Sequence, residues 1–192
     1  TGVQTCALPI FTGTEIKLAE GIVGDSGKFS LSFDIDQVQR ITIRSNNTHG
    51  VVFGEPGRKT EIIFSDRDIY SQPNPELDYA TPLNVYISDS TDMNYLVDDF
   101  NARFDQFWKE NFMQFVTKDS IGVLDGFQKK MNKQYAWVRN PYFKPWMDYT
   151  FAALEDATFH SQVHVAKKYL GGHTIYYHNS AYMEFFNSFF QN

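Results

Sequence analysis

The first half of the chain alternates polar and apolar residues with a period of two, and this pattern predicts half-buried β-strands. In Lys28–Phe33, for example, Phe29 and Leu31 fall on the same face. The other predicted strands are Glu15–Leu18, Arg40–Arg44, Gly50–Phe53, Thr60–Phe64 and Leu83–Ile87. Because these strands are short and separated by turns rich in Gly, Asn and Pro, they predict an antiparallel β-sandwich rather than a parallel sheet.

The second half has apolar residues at steps of three and four, which predicts helices. The first helix follows the capping residues Ser90–Asp92. Its apolar stripe comprises Met93, Leu96, Val97, Phe100, Phe104, Phe107 and Trp108. A second helix is predicted over Val123–Trp137. A third, interrupted at Pro145, is expected to run to about Leu170, before the stop signal Gly171–Gly172. A short last helix covers Tyr182–Phe190.

These patterns predict an α+β chain with two regions. An N-terminal antiparallel β-sandwich, incomplete at its N-terminus, is expected over residues 11–88, and an all-helical region over residues 89–192. Near their junction, Asp66–Asp78 is polar and contains Pro73 and Pro75, so it is predicted to be a loop.

Residues 1–10 are expected not to belong to the natural fold. Their sequence, TGVQTCALPI, is the translation of ACT GGA GTT CAG ACG TGT GCT CTT CCG ATC. That reading resembles a short-read sequencing adapter, so we interpret the segment as an adapter-derived artefact and exclude it from the fold prediction. It contains the single cysteine, Cys6, so thiolate chemistry is not expected.

Charge and composition argue against nucleic-acid binding and against a transmembrane segment. The chain has a net charge of -6 and a pI near 5.3, whereas nucleic-acid binding normally requires a basic patch. The densest basic cluster, Lys129, Lys130 and Lys133, is typical of a solvated helix face. No apolar run approaches the roughly 20 residues of a transmembrane helix, so no transmembrane segment is predicted.

His160 and His164 are the strongest candidate metal ligands. They are separated by four residues on the predicted third helix, so their side chains are expected to point the same way, and His173 or His178 offers a further ligand. However, the intervening residues lack the Glu of the H-E-x-x-H pattern. Two half-buried polar residues of a helix explain the spacing as well, so no metal or cofactor site is assigned.

Other polar clusters also predict no catalytic site. Glu55 lies in a turn, where a carboxylate is normally solvated, and the sequence shows no acid-base partner for it. The acidic residues of the 66–78 loop do not follow the EF-hand spacing. They are Asp66, Asp68, Glu76 and Asp78. Gly24 and Gly27 are too close together for a phosphate-binding loop.

Three short motifs occur in a recognisable order. They are Asp25–Phe29 (D-x-G-x-F), Glu55–Gly57 (E-P-G) and Asn179–Met183 (N-x-x-Y-M), the last preceding Phe185 and Phe186. Together with the aromatic-rich helical region, this order resembles the N-terminal part of TlpA/redoxin-type thioredoxin-like proteins of the Bacteroidetes. In that family a β-sandwich and a helical segment precede a C-terminal thioredoxin-like domain. The Cys-x-x-Cys motif of that domain is not in this sequence.

The resemblance implies an exported protein, periplasmic or associated with the outer membrane. It implies a non-catalytic accessory region that positions a thioredoxin-like domain in the same polypeptide, or binds that domain's client protein. A second hypothesis is a separate surface module that binds a glycan or a peptide. A third, ranked last, is a metal-dependent hydrolase using His160 and His164. No catalytic or cofactor-binding residue is assigned under the leading hypothesis.

Overall fold

The computed structural model describes residues 2–7, 16–46, 48–64, 79–87, 89–116, 121–158 and 161–191. It divides into two compact units, Thr1–Asn94 and Tyr95–Asn192. The domain ranges expected from the sequence, 1–10, 11–88 and 89–192, stay predictions. As the sequence pattern predicts, the fold class is α+β, with sheets followed by helices.

The first unit is built from two sheets. The larger sheet contains β1 (Gly2–Ala7), β2 (Ile16–Ile22), β3 (Gln39–Ser45), β4 (Thr48–Gly54) and β6 (Tyr79–Ala80), in the order β2-β1-β3-β4-β6. Its first four strands pair antiparallel, and the two-residue β6 pairs parallel with β4. The smaller sheet pairs β5 (Glu61–Ile63) with β7 (Asn84–Tyr86).

One hydrophobic core joins these two sheets. Its fully buried centre consists of Val3, Ile41, Ile43 and Val52 from the larger sheet. Ile62 and Val85 of the smaller sheet pack against that centre. The layered arrangement follows from the period-two pattern, since every second side chain of a strand points to the same face.

The segment that the sequence analysis sets aside contributes a strand to this sheet. Gly2–Ala7 lies between β2 and β3, and Val3 and Thr5 are each 1% exposed. The Thr5 hydroxyl donates to the carbonyl of Ala19 at 3.3 Å. Small and β-branched residues at alternate positions suit a central strand. The exclusion of residues 1–10 from the fold prediction is therefore wrong for Gly2–Ala7 in this chain, whereas their adapter origin stays a prediction.

One predicted strand is wrong. Lys28–Phe33 lies outside the β-ladders, although Phe29, Leu31 and Phe33 are half-buried and pack against the core, as the alternation predicts. The alternation reports which side chains face the core of an extended segment. It does not report whether the backbone finds a hydrogen-bonding neighbour.

Five helices form the rest of the described chain. They are α1 (Met93–Val116), α2 (Ile121–Gln134), α3 (Phe143–Ala157), α4 (Gln162–Tyr169) and α5 (Ser180–Gln191). None of these described helices combines the length and apolar character that crossing a bilayer requires.

The predicted third helix is two helices, α3 and α4. Pro145 does not interrupt α3, because it lies in the first turn, where backbone N–H groups have no partner within the helix. Instead, α3 ends at Ala157 and α4 begins at Gln162. The predicted stop holds: α4 ends at Tyr169, and Gly171 N–H donates to the Ala166 carbonyl at 2.9 Å.

Aromatic rings fill the core of the helical unit. Phe100 of α1 is fully buried and meets the rings of Trp146 and Phe151 edge-on, with centroids 5.4 and 5.7 Å apart. Phe107 stacks on Phe127 of α2 at 4.0 Å. The stripe predicted for α1 therefore faces the core, apart from the half-exposed Phe104 and Trp108.

Candidate functional site

The histidines considered as candidate metal ligands are not gathered into a ligand set within the described chain. His160 lies outside the described residues. His164 is exposed on α4, and His173 and His178 are exposed between α4 and α5. Among the described residues, no group of three or more His, Cys, Asp or Glu side chains is placed to hold a metal ion. The acidic loop residues Asp66, Asp68, Glu76 and Asp78 also lie outside the described residues.

Glu55 caps a helix and is not the solvated carboxylate that the sequence predicted. Its side chain is 12% exposed, and its Oε1 accepts a hydrogen bond from Met93 N–H, the first residue of α1, at 2.8 Å. Arg58 places its Nε 3.6 Å from Glu55 and donates from Nη1 to Asp89 at 3.1 Å. A carboxylate at a helix N-terminus satisfies a free N–H group and interacts favourably with the helix dipole.

Asn94, the second residue of α1, bonds to strand β4 of the same unit. Its Oδ1 accepts from Phe53 N–H at 2.7 Å, and its Nδ2 donates to the Phe53 carbonyl at 2.9 Å. The amide therefore pairs with both backbone groups of one residue, as a neighbouring strand would. This protects the edge of β4 beyond the short strand β6.

The helical unit contains a cluster of polar and titratable side chains around a buried glutamate, which sequence reasoning missed. Glu155 of α3 is 1% exposed, and its Oε1 accepts from Lys168 Nζ at 2.5 Å and from the Tyr169 hydroxyl at 2.7 Å. Gln128 of α2 donates to the Tyr169 hydroxyl and accepts from Lys168, both at 3.2 Å. A signal was present, because Glu155 continues the buried series Phe143, Met147 and Phe151 at steps of four.

The chemistry of this cluster favours a structural role. Burial and the hydrogen bond to Glu155 raise the pKa of Tyr169 far above its usual value, so the phenol stays protonated as a donor. The other glutamate oxygen, Oε2, is buried and has no hydrogen-bond partner. A general base must reach its substrate, and this carboxylate is enclosed by side chains. The cluster therefore connects α2, α3 and α4.

The N-x-x-Y-M motif also has a structural explanation. Asn179 caps α5: its Oδ1 accepts from Tyr182 N–H at 3.1 Å, and its Nδ2 donates to the Tyr142 carbonyl at 3.0 Å. The Tyr142 hydroxyl accepts from Ser180 N–H at 2.9 Å. Tyr182 and Met183 are buried. The spacing of this motif thus serves the docking of α5 within the unit.

The other two motifs form turns. Gly27 of D-x-G-x-F has φ +73° and Gly57 of E-P-G has φ +72°, a backbone region that favours glycine. Gly24 N–H donates to the Lys28 carbonyl at 2.9 Å, and Arg58 N–H donates to the Glu55 carbonyl at 3.1 Å. All three motifs therefore have folding roles that are independent of any redox chemistry.

A groove between α3 and α5 is the best candidate for a binding site. It has a volume of about 440 Å³. Small side chains from both helices line it, and these are Thr150, Ala153, Ala157, Ala181 and Ser188. The rings of Tyr149 and Phe185 lie beneath the groove and are only 4% and 1% exposed, and Asp156 and Glu184 add a carboxylate from each helix.

Exposed aromatic and aliphatic side chains lie before α5 and at its end. Ile175 is 51% exposed, Tyr177 is 51% exposed and Phe190 is 65% exposed. Tyr176 stacks edge-on with Tyr149 and Tyr182, with centroids 6.1 and 6.0 Å apart, so it links this segment to the rings beside the groove.

Comparison of the chain with family models, curated proteins and solved structures finds no match.

Proposed function

We propose that this chain is a non-catalytic accessory module whose helical unit binds a protein partner. The groove between α3 and α5 is the observation that carries the proposal. It is open, long enough to follow two helices, and lined mainly by small and aromatic side chains rather than by reactive groups. Grooves of this kind accept the apolar face of a partner helix.

The apolar surface near the groove supports the same proposal. Single exposed apolar residues are normal on soluble proteins, but clustered ones mark interaction sites. Ile175 and Tyr177 lie within four residues of Asn179, the cap of α5, and every residue of the stretch 171–178 is exposed. Covering this stretch would remove apolar area from water without disturbing the core.

The partner that the family resemblance suggests is a thioredoxin-like domain in the same polypeptide, or the client of that domain. The module would then belong to an exported thiol-disulfide oxidoreductase of the periplasm or outer membrane. In this view the chain positions the redox domain or its client and supplies no reactive group. The polar clusters support this assignment, because Glu55, Asn94, Glu155 and Asn179 all hold structural elements together.

Two measurements test this proposal. Sequencing the genomic DNA on both sides of the coding region is expected to show a Cys-x-x-Cys domain in the same reading frame. The isolated domain is then expected to bind the chain in isothermal titration. A reading frame without a thioredoxin-like domain would remove the redox assignment. Turnover of a small molecule by the purified chain, lost on changing one polar side chain, would contradict the non-catalytic role.

A second candidate function is a surface module that binds glycans. The exposed rings of Tyr176 and Tyr177, flanked by His173 and His178, favour it. Glycan-array binding that is lost in Tyr177→Ala and kept in Phe112→Ala, a change of a similarly exposed ring on α1, would support this function. An array without signal would remove it.

A further inference from the structure

The groove between α3 and α5 has a charge pattern that restricts its occupant. Asp156 contributes a carboxylate from α3 and Glu184 one from α5. The residues that line the groove include no Lys, Arg or His. An acidic partner would therefore bring like charges together, while a basic partner would gain attraction on both sides.

The lining also defines the shape of the occupant. On α5 the groove runs from Ala181 to Ser188, and on α3 from Tyr149 to Ala157. At 1.5 Å per residue these stretches are about 10 to 12 Å long, or two helical turns. Small side chains such as Ala153 and Ala157 allow two helix axes to approach to about 8 Å. An extended peptide would instead need a strand edge for its backbone hydrogen bonds, which two helices do not supply.

We infer that this groove binds an amphipathic α-helix of a partner protein, and that the helix is basic at the borders of its apolar face. The inference deepens the proposed docking function and rests on it. Apolar residues of the partner at i, i+3 or i+4, and i+7 contact the accessible side chains of Thr150, Ala153 and Ala157, which lie over the buried rings. Lys or Arg residues beside that apolar face pair with Asp156 and Glu184.

A designed peptide tests the inference with the intact chain. The probe is a fluorescein-labelled helix of about 16 residues, with Leu on one face, Lys at its borders and Ala elsewhere. We expect saturable binding in fluorescence anisotropy, weakened by salt because the paired charges are at the surface. A matched peptide with Glu in place of Lys is expected not to bind.

Three variants distinguish the groove from general electrostatic attraction. Asp156→Lys/Glu184→Lys is expected to weaken binding about tenfold or more and to let the Glu peptide bind. The control Asp105→Lys/Glu110→Lys changes the net charge equally on the exposed face of α1, and is expected to change affinity less than about twofold. Ala153→Trp fills the groove at an exposed position without changing charge, and is expected to abolish binding.

Equal weakening by both charge-reversed variants, or unchanged binding by Ala153→Trp, would overturn the inference. If a variant fails to fold by circular dichroism, amide hydrogen exchange of the unsubstituted chain decides. Protection on adding the Lys peptide is expected at residues 149–157 and 181–188, and protection elsewhere would overturn the inference. If a thioredoxin-like domain binds the chain but leaves this groove unprotected, the inference fails while the proposed docking function stands.

Discussion

At the scale of the residue, the buried Glu155 shows how a single polar side chain constrains the helical unit. Its partner Lys168 extends to the surface, with a side chain that is 31% exposed, whereas the Glu155 side chain is 1% exposed. A buried ion pair contributes little net stability compared with well-packed apolar residues, but removing one partner leaves the other charge uncompensated. The cost of a single substitution should therefore exceed the cost of a double one.

We predict that Lys168→Met lowers the free energy of unfolding of the helical unit by about 3 kcal/mol, because Glu155 then stays buried without its cation. Chemical denaturation measures this value. Glu155→Leu/Lys168→Met is expected to recover most of the loss, since no buried charge remains. A single variant as stable as the original chain would show that the pair is not coupled to folding.

Backbone conformation at two glycines of the helical unit gives a second residue-scale prediction. Gly172 has φ +75°, and Gly126 lies inside α2; a Cβ atom at either position would meet no atom within 4 Å. Gly172→Ala is expected to destabilise the unit by about 1 kcal/mol through left-handed strain. Gly126→Ala is expected to stabilise it by about 0.5 to 1 kcal/mol through helix propensity. Thermal unfolding of both variants should show that one substitution lowers stability and the other raises it. Changes of stability with the same sign would refute this account.

At the scale of the element, the start of α5 depends on one side-chain amide. Asn179 caps α5 and also contacts the Tyr142 carbonyl. We predict that Asn179→Ala destabilises the helical unit by about 1 to 2 kcal/mol, since a capping bond and a buried acceptor lose their partner. Asn179→Asp keeps the capping oxygen but not the donor. Its free energy of unfolding, measured by urea denaturation, should therefore lie between those of Asn179→Ala and the original chain. Equal losses for both variants would mean that the cap itself contributes nothing.

The amide of Asn94 has a comparable role at the edge of β4. Asn94→Ala leaves the N–H and carbonyl of Phe53 without their side-chain partners, and we expect a loss of about 2 kcal/mol in the first unit. Hydrogen exchange of the Phe53 amide should become faster, while the Ile43 amide in the centre of β3 serves as the internal reference. An unchanged Phe53 exchange rate would show that another group protects this edge.

The elements also show what the sequence could and could not predict. The strand around Ile41 and the helix from Met93 follow periodic patterns, so their type and the burial of Ile41, Ile43 and Phe100 were predicted correctly. The pattern also predicted that Arg40–Arg44 is half-buried, but Thr42 on its polar face is buried as well. Glu155 was missed because periodicity identifies a buried position but not the partners of a charged residue there. The predicted break at Pro145 was wrong because a proline in a first turn disturbs no intrahelical hydrogen bond. The groove was missed because it depends on how two helices pack.

At the scale of the whole molecule, the many aromatic residues of the chain include several tyrosines that are buried. Burial raises the pKa of Tyr149 to about 12 and raises the pKa values of Tyr135 and Tyr169 further. Asp99 accepts a hydrogen bond from the Tyr135 hydroxyl at 2.8 Å and Glu155 accepts one from Tyr169, so two of these phenols donate to carboxylates. An unfolded tyrosine ionises near pH 10. The folded chain therefore holds these protons more tightly than the unfolded chain does.

This difference predicts alkaline unfolding. Below about pH 10 the phenols are protonated in both states, so their contribution to stability is fully present. As the pH rises from about 10 towards 12, the unfolded state loses protons that the folded state keeps, and the free energy of unfolding falls. Urea denaturation at pH 8, 10 and 11 measures the slope, which Tyr169→Phe should reduce because it removes one of the titrating groups. Phe112→Leu, a change at a 49% exposed ring that carries no titrating group, is the control and should leave the slope unchanged. A stability that is independent of pH across this window would show that these phenols are not enclosed in the folded state.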